Sequence, residues 1–334
     1  MKRAAIQLAD IAERGNLATA LYKAARGKSS KPAVRSFVAD SDHQLCSLQR
    51  SIVNGTAPLG DYREFSIVDP KPRIIRAVCF PDRVLHHAIM NVAGPVLERS
   101  LIADTYACLP GRGVHAAARR VQSLLRLHPW YVKVDIAGYF AAIDHRRLIK
   151  LLAATFKGAE FLALLSRVIA ANGAQPGAGL PIGSLTSQYF ANHYLNEADR
   201  LICQHWRYPL VRYMDDIIWW CPDRATAKAS LEEFREWLLC NRGLQLHANT
   251  QINRSRCGVS YCGFRITTAG LRLSRRRKRR YVKGRRDIEQ LWLNGVIDSG
   301  QLQRGYAAIK AITLPADSAG FRRDNLRRHP PVQA

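Results

Sequence analysis

Residues 211–221, VRYMDDIIWWC, set two adjacent carboxylates inside a run that otherwise reads as a buried β-strand. Val211, Tyr213, Ile217, Ile218, Trp219 and Trp220 are β-branched or aromatic, the types that strands favour. Burying an unpaired carboxylate costs several kcal/mol, so Asp215 and Asp216 require compensation. A second strand-like run, YVKVDI (131–136), carries Asp135 among apolar residues. Two such strands laid side by side would converge Asp135 and Asp215 on a shared cation. Carboxylates that hold two Mg²⁺ ions roughly 3.5–4 Å apart clamp the attacking and leaving oxygens of a phosphoryl transfer. Alone, MDD reads better as the tip of a hairpin facing water. Paired with Asp135 in a strongly basic chain, it reads as a metal site.

That basicity is large: 51 Lys and Arg against 26 Asp and Glu leave a formal net charge of +25. Such a field attracts polyanions, nucleic acid first among them, against the alternative of another acidic partner. The 334 residues, 47% of them hydrophobic, suffice for one large domain or two to three small ones. The start, MKRAAIQLADIAERG, has its apolar stretch interrupted by Asp10, Glu13 and Arg14, which argues against a signal peptide. No apolar run approaches the roughly 20 residues of a membrane span. The eight cysteines are scattered without a CxxC pair, and Cys257 and Cys262 have no partners at zinc spacing. Reduced thiols in a cytoplasmic protein are expected.

The pattern along the chain predicts basic helices up to about residue 60, then two short strands around the turn DPKP (69–72). A helix is expected from Asp82 through Leu97, another after the Gly/Pro loop in ACLPGRGVHAA, and a third capped by Asp144. A glycine-rich loop, NGAQPGAGLPIG (172–183), leads into a helix, and a further helix runs from Asp223 to Gly243. VSYCGFRIT is expected to close as one strand. The order fits an α+β fold, an antiparallel-rich sheet with helices on one face. RRRKRRYVKGRR (275–286) holds nine basic residues in twelve, either a solvated linker or an RNA-contacting segment, with helical periodicity beyond it. His86 and His87 point to different faces of their helix and are taken as structural.

YMDD flanked by apolar residues resembles the motif of reverse transcriptases, and VDIAGYFAAIDH resembles their first catalytic-aspartate motif. KPRIIRAVCFPDRVLHHAI is similar to the fingers segment of the prokaryotic enzymes, and YCGF to their primer grip. LPIGSLTSQ, NLATALYKAARGK and YACLPGRGVHAA resemble diversity-generating retroelement reverse transcriptases, in which Ile182 and Gln188 replace the Gln and Pro of most relatives. The likeness spans nearly the whole chain in motif order. It implies a right-hand polymerase fold: an N-terminal helical extension (1–60), fingers with part of the palm (61–130), palm (131–268), and a basic linker with a small helical thumb (269–334).

By this resemblance Asp135, Asp215 and Asp216 are catalytic and hold Mg²⁺ or Mn²⁺, with the backbone carbonyl of Ile136 assisting and Asp216 as the weaker ligand. Lys71 and Arg73 would hold the triphosphate, and Phe140 would exclude a ribose 2′-hydroxyl against the alternative of plain core packing. Ile182, Gly183 and Gln188 would touch the nucleotide; Ser184, Tyr213, Met214, Tyr261, Gly263, Arg275, Arg276 and Lys278 would touch template or primer. Gly183 permits close backbone approach. Ile182 lacks the hydrogen bond that Gln offers, which should lower discrimination against mispairs. The family adds misincorporation opposite template adenines, copying of a template-repeat RNA into cDNA for a variable repeat, and a small basic oligomeric accessory protein. Template RNA, a DNA primer and dNTPs are the expected partners, in the cytoplasm of a prokaryotic or phage-infected cell. The chain departs from the pattern at LQLHANTQI, where Asn249 and Thr250 stand in place of a motif lysine. The competing readings are an accurate retron or group II intron-type reverse transcriptase and a catalytically weak RNA-binding scaffold.

Overall fold

The computed structural model describes residues 2–57, 59–68, 72–171 and 176–331, apart from the side chains of Pro72 and Arg73. Its centre is a four-stranded sheet in the spatial order Leu210–Tyr213, Asp216–Cys221, Trp130–Val134, Gln251–Arg254. All neighbours are antiparallel, with Val134 opposite Ile217 and Tyr213 opposite Asp216. The two aspartate-bearing runs are therefore adjacent strands.

Both faces of this sheet are covered. Val132, Val134, Ile217 and Trp219 face the expected helices, packing with Phe190 and Tyr194 of Leu185–Tyr194 and Phe234 and Leu238 of Arg224–Arg242. Tyr131, Val211, Ile218 and Trp220 face the other way, into a second core with Val121 and Leu125 of the helix Val114–Leu127. A strand buried on both sides reads as a continuous apolar run, which is why IIWW does not alternate. Asp144 caps its helix by accepting from the Arg147 amide at 2.8 Å.

The second core is closed by a three-stranded sheet, Val259–Tyr261, Phe264–Ile266 and Leu271–Leu273. VSYCGFRIT is thus two strands, not one. Cys262 and Gly263, at φ 48° and 78°, form the two-residue reversal between them, the left-handed pair that matches strand twist.

The hairpin Tyr62–Val68 and Pro72–Val78 pairs in antiparallel register and projects from the helix Phe80–Ser100, which begins with Pro81 in its first turn. The N-terminal helices Arg14–Ala25, Pro32–Ala39 and Ser41–Val53 share a core with that helix, where Leu17, Phe37 and Ile52 join Val84, Leu85 and Ala88. The basic run 275–286 is not a linker: it forms most of the helix Arg275–Leu293, capped by Ser274. With Ser299–Ala311 and Ala319–Arg328 it builds a C-terminal helical unit. Tyr281 meets Phe321 edge-on there, and buried Arg285 pairs with Glu289 at 3.1 Å. No helix among the described residues is long and apolar enough to cross a membrane.

Candidate active site

The reversal between the two central strands consists of Met214 and Asp215 alone, since Tyr213 pairs with Asp216. Met214 adopts φ 59°, a left-handed conformation that costs a non-glycine residue free energy and persists only where its surroundings enforce it. The enforcement is visible. Arg212, fully buried, donates to the Met214 carbonyl at 3.2 Å and pairs with buried Asp199 at 2.7 Å. Asn192 and Thr105 complete the network, accepting from Arg212 and donating to Asp199. Tyr261 donates to the Asp216 carbonyl at 2.8 Å. MDD is a hairpin tip, as its composition allowed, but it faces a cavity rather than open water.

That cavity, about 1310 Å³, is lined by Asp135, Asp215 and Asp216 together. Continuing the Val134–Ile217 register by one residue sets Asp135 across from Asp216. The Asp135 carbonyl accepts from the His247 amide at 2.7 Å, and the Ala137 amide donates to Gln245 at 2.9 Å. In this antiparallel bridge, successive carbonyls point to opposite sides, so that of Ile136 is turned away from the 245–247 loop. Gly138, at φ 55°, then swings the chain into the short helix Tyr139–Ala142, which puts Phe140 on the cavity wall.

Lys133, on the same strand as Asp135, reaches Asp216 at 2.8 Å. Burial pushes the Asp216 carboxyl up to about 7, with Asp135 and Asp215 adding to the rise and Lys133 opposing it. A cavity walled by three carboxylates, one of them destabilised in its charged form, suits a hard oxygen-seeking cation. Among the described residues no three His, Cys, Asp or Glu side chains are gathered closely enough to form a complete cage. Asp135, Ile136 and Asp215 share the wall of that cavity, and carboxylate and carbonyl oxygens are the donors that a hard divalent ion takes.

Several other expected residues line the same cavity: Ile182, Tyr213, Met214, Gly263 and Arg276. Gly263 is required there, since a Cβ would meet Arg277 Nε at 2.8 Å with φ at 78°. Others lie elsewhere. Ser184 is buried, its hydroxyl paired with His86 Nδ1 at 2.9 Å and Thr186 at 3.0 Å, so it braces the loop instead of meeting a template. Tyr261 is buried beneath the hairpin rather than exposed to a primer. Gly183 and Gln188 line a separate cavity of about 190 Å³ with Arg83, His86 and His87. A Cβ on Gly183 would press on Ile75 at 3.2 Å, and the Ile182 carbonyl accepts from the Arg76 amide at 3.3 Å. This loop thus lies against the projecting hairpin. Lys278 lies over the Phe321 ring, away from the catalytic cavity, and Arg275 is exposed beyond its wall. Lys71 and the Arg73 side chain lie outside the described residues. Asn249 and Thr250 are bonded within their own loop.

Sequence reasoning missed Lys133, the Arg212–Asp199 pair, His247, Arg277 and Arg280. The last three line the cavity. Arg276 and Arg280 are four apart, one helical face, a signal available once 275–286 is read as a helix. Burial lowers His86 and His87 to about 4, both line the small cavity beside Gly183, and His86 braces the Ser184 loop.

The sequence profile of the family reverse transcriptase (RNA-dependent DNA polymerase) matches residues 67–266, well over half of the chain. The protein YkfC of Escherichia coli K12 is 29% identical over 150 residues, 42% of this chain and 39% of that protein. The group II intron-encoded protein LtrA of Lactococcus lactis is 24% identical over 173 residues, 49% of this chain and 29% of that protein. The matched stretches thus span less than half the length of these relatives. Among solved structures, apo telomerase from Candida tropicalis superposes with a TM-score of 0.54 at 11% identity, over 85% of this chain and 63% of that one. The superposition and the family match agree on the right-hand polymerase fold. As labels for these elements, we call the four-stranded sheet the palm, the projecting hairpin the fingers hairpin and the C-terminal helical unit the thumb. From its 67–266 match, the chain belongs to the reverse transcriptase (RNA-dependent DNA polymerase) family.

Proposed function

We propose that this chain is an RNA-directed DNA polymerase, extending a DNA primer with deoxynucleotides on an RNA template. The convergence of Asp135, Asp215 and Asp216 on one wide, arginine-walled cavity carries the reading. Asp135, Asp215 and the Ile136 carbonyl would hold Mg²⁺ or Mn²⁺, whose chemistry is to activate the primer 3′-hydroxyl and neutralise charge on the leaving pyrophosphate. Asp216, tied to Lys133, stands beside them. Phe140 offers a rigid ring beneath the sugar, where a 2′-hydroxyl would collide. Lys71 and Arg73 grip the triphosphate, and Arg276, Arg277 and Arg280 attract the primer–template backbone.

Within this activity we read the enzyme as a mutagenic one. Ile182 presents an apolar side chain on the cavity wall where an amide would hydrogen-bond the nascent pair. Fewer polar restraints mean weaker rejection of mispairs. Preference for template adenines, transfer of cDNA from a template repeat to a variable repeat, and a small basic oligomeric accessory protein follow from the resemblance to diversity-generating retroelements. A second reading, accurate intron-type copying, is favoured by the likeness to LtrA. Mg²⁺-dependent primer extension on an adenine-containing RNA, followed by cDNA sequencing, separates them. Errors concentrated opposite adenine, reduced several-fold in Ile182→Gln, uphold the mutagenic reading. Uniformly accurate cDNA overturns it in favour of the second.

A further inference from the structure

At the end of the palm sheet remote from the carboxylates, a groove of about 490 Å³ runs between the end of the helix Val114–Leu127 and the edge strand Gln251–Arg254. Arg126, His128, Trp130, Arg254 and Arg256 line it, and none of them lines the catalytic cavity. Trp130 begins the strand that ends just before Asp135, so the two sites stand apart by five residues of extended chain, roughly 16 Å at about 3.3 Å per residue.

Three features distinguish this groove from scattered surface charge. No Asp or Glu lines it, and among the described residues no ion pair engages Arg126, Arg254 or Arg256. Arg254 lies over the Trp130 ring, 5.3 Å from its centroid, a cation–π contact that holds an exposed arginine at the groove. Arg126 is held at the groove by its Nε on the Thr268 carbonyl at 2.7 Å and by a terminal nitrogen 3.2 Å from the Gln122 amide oxygen. The charge also continues beyond the groove. Arg265 donates to the carbonyl of Cys257, directly after Arg256, and stands opposite Arg272 in the three-stranded sheet. Both are exposed. Like charges directly opposite one another on a sheet destabilise it unless something neutralises them.

We infer that this groove and the adjoining Arg265–Arg272 face bind RNA outside the copied segment, gripping the sugar–phosphate backbone of a folded part of the template molecule. The inference rests on the reading of the chain as RNA-directed. A polyanion supplies what the groove lacks: phosphates for Arg126, Arg254 and Arg256, and a neutralising strand across the Arg265–Arg272 pair. Shape and backbone contacts suffice, as folded RNA is recognised mainly through phosphate and 2′-hydroxyl contacts. The cavity then copies one end of a molecule that the back of the palm holds by another.

The test compares the full chain with Arg254→Ala/Arg256→Ala, and with Arg256→Ala alone, whose exposed side chain guards against effects on folding. Two probes are titrated over a series of salt concentrations: a hairpin RNA of a few dozen nucleotides, and a short RNA–DNA hybrid that fills only the cavity. The double substitution is expected to weaken hairpin binding about tenfold or more and to lower the slope of log K against log salt by about two, with about half that change in slope for the single substitution. Binding and extension of the short hybrid stay unchanged. Arg254→Lys/Arg256→Lys retains the slope. Hairpin affinity and slope identical to the parent overturn the inference. Failure of both proteins to extend the hybrid counts against the polymerase reading instead, while the hairpin titration still decides the groove.

Discussion

Two hairpins, one in the wall of the catalytic cavity and one against the loop of Ile182 beside it, are built in opposite ways. The palm hairpin, Leu210–Cys221, is saturated with contacts: Val211, Ile217, Ile218, Trp219 and Trp220 are fully buried, and its turn is pinned by Arg212 and Tyr261. The fingers hairpin, Tyr62–Val78, stands in solvent, with Val68 78% and Ile74 61% exposed. The Arg76 amide ties it to the Ile182 carbonyl, and the Cys79 amide on the Asp61 carbonyl closes its base. Local stability follows burial and bonding density. The palm hairpin is therefore held on both faces, while the described part of the fingers hairpin is held by far fewer buried side chains.

The largest test strikes the fixed side. Asp215→Asn should reduce primer extension by at least about 10³-fold while leaving RNA affinity within about twofold, as removal of a charge that acts in the transition state demands. A scaffold would lose neither. Arg212→Met comes next, because it leaves Asp199 charged and unpaired in the interior. A loss of about 3–5 kcal/mol is expected in urea unfolding; a loss below about 1 kcal/mol would mean that the palm hairpin is not pinned from beneath.

Acid probes the seam between the hairpins. His86, which holds the Ser184 loop, is lowered to about 4 by burial and by its neighbours His87 and Arg83. The folded state thus disfavours the proton that the unfolded chain accepts near 6.5. The stability His86 contributes is complete above pH 6.5 and falls as pH drops towards 4, by roughly 3 kcal/mol at most. Urea midpoints measured across that window should decline, and His86→Gln should flatten the decline. Smallest of all, Val68→Ser should change stability by less than about 0.5 kcal/mol, since that side chain already lies in water. A larger loss would show that the fingers hairpin is packed rather than free.

The sequence made the aspartate strands legible because β-branched and aromatic residues mark them and little else explains their carboxylates. What it concealed depends on partners distant in the chain. Arg212 meets Asp199 and Asn192 through a helix, and Tyr261 reaches Asp216 across 45 positions. Neither pairing has a local signature. The thumb helix was hidden for another reason. Its buried positions, Tyr281, Arg285 and Glu289, keep helical spacing, but two of the three are charged, so apolar periodicity vanishes. Cys262–Gly263 escaped notice as a turn because Cys seldom takes a left-handed conformation, whereas Asn-Gly would have announced it.

The adjacent tryptophans of the palm give the molecule an optical consequence. Trp219 points into one core, its indole donating to Ser230 at 3.1 Å and its ring 5.1 Å from Phe234. Trp220 points into the other, its indole nitrogen without a hydrogen-bond partner among the described residues. One residue apart in the chain, the two chromophores sit in separate interiors with different polarity. Trp219→Phe and Trp220→Phe therefore turn a single strand into a pair of fluorescence reporters, one for the helix-packed half of the palm and one for the half that carries the small sheet.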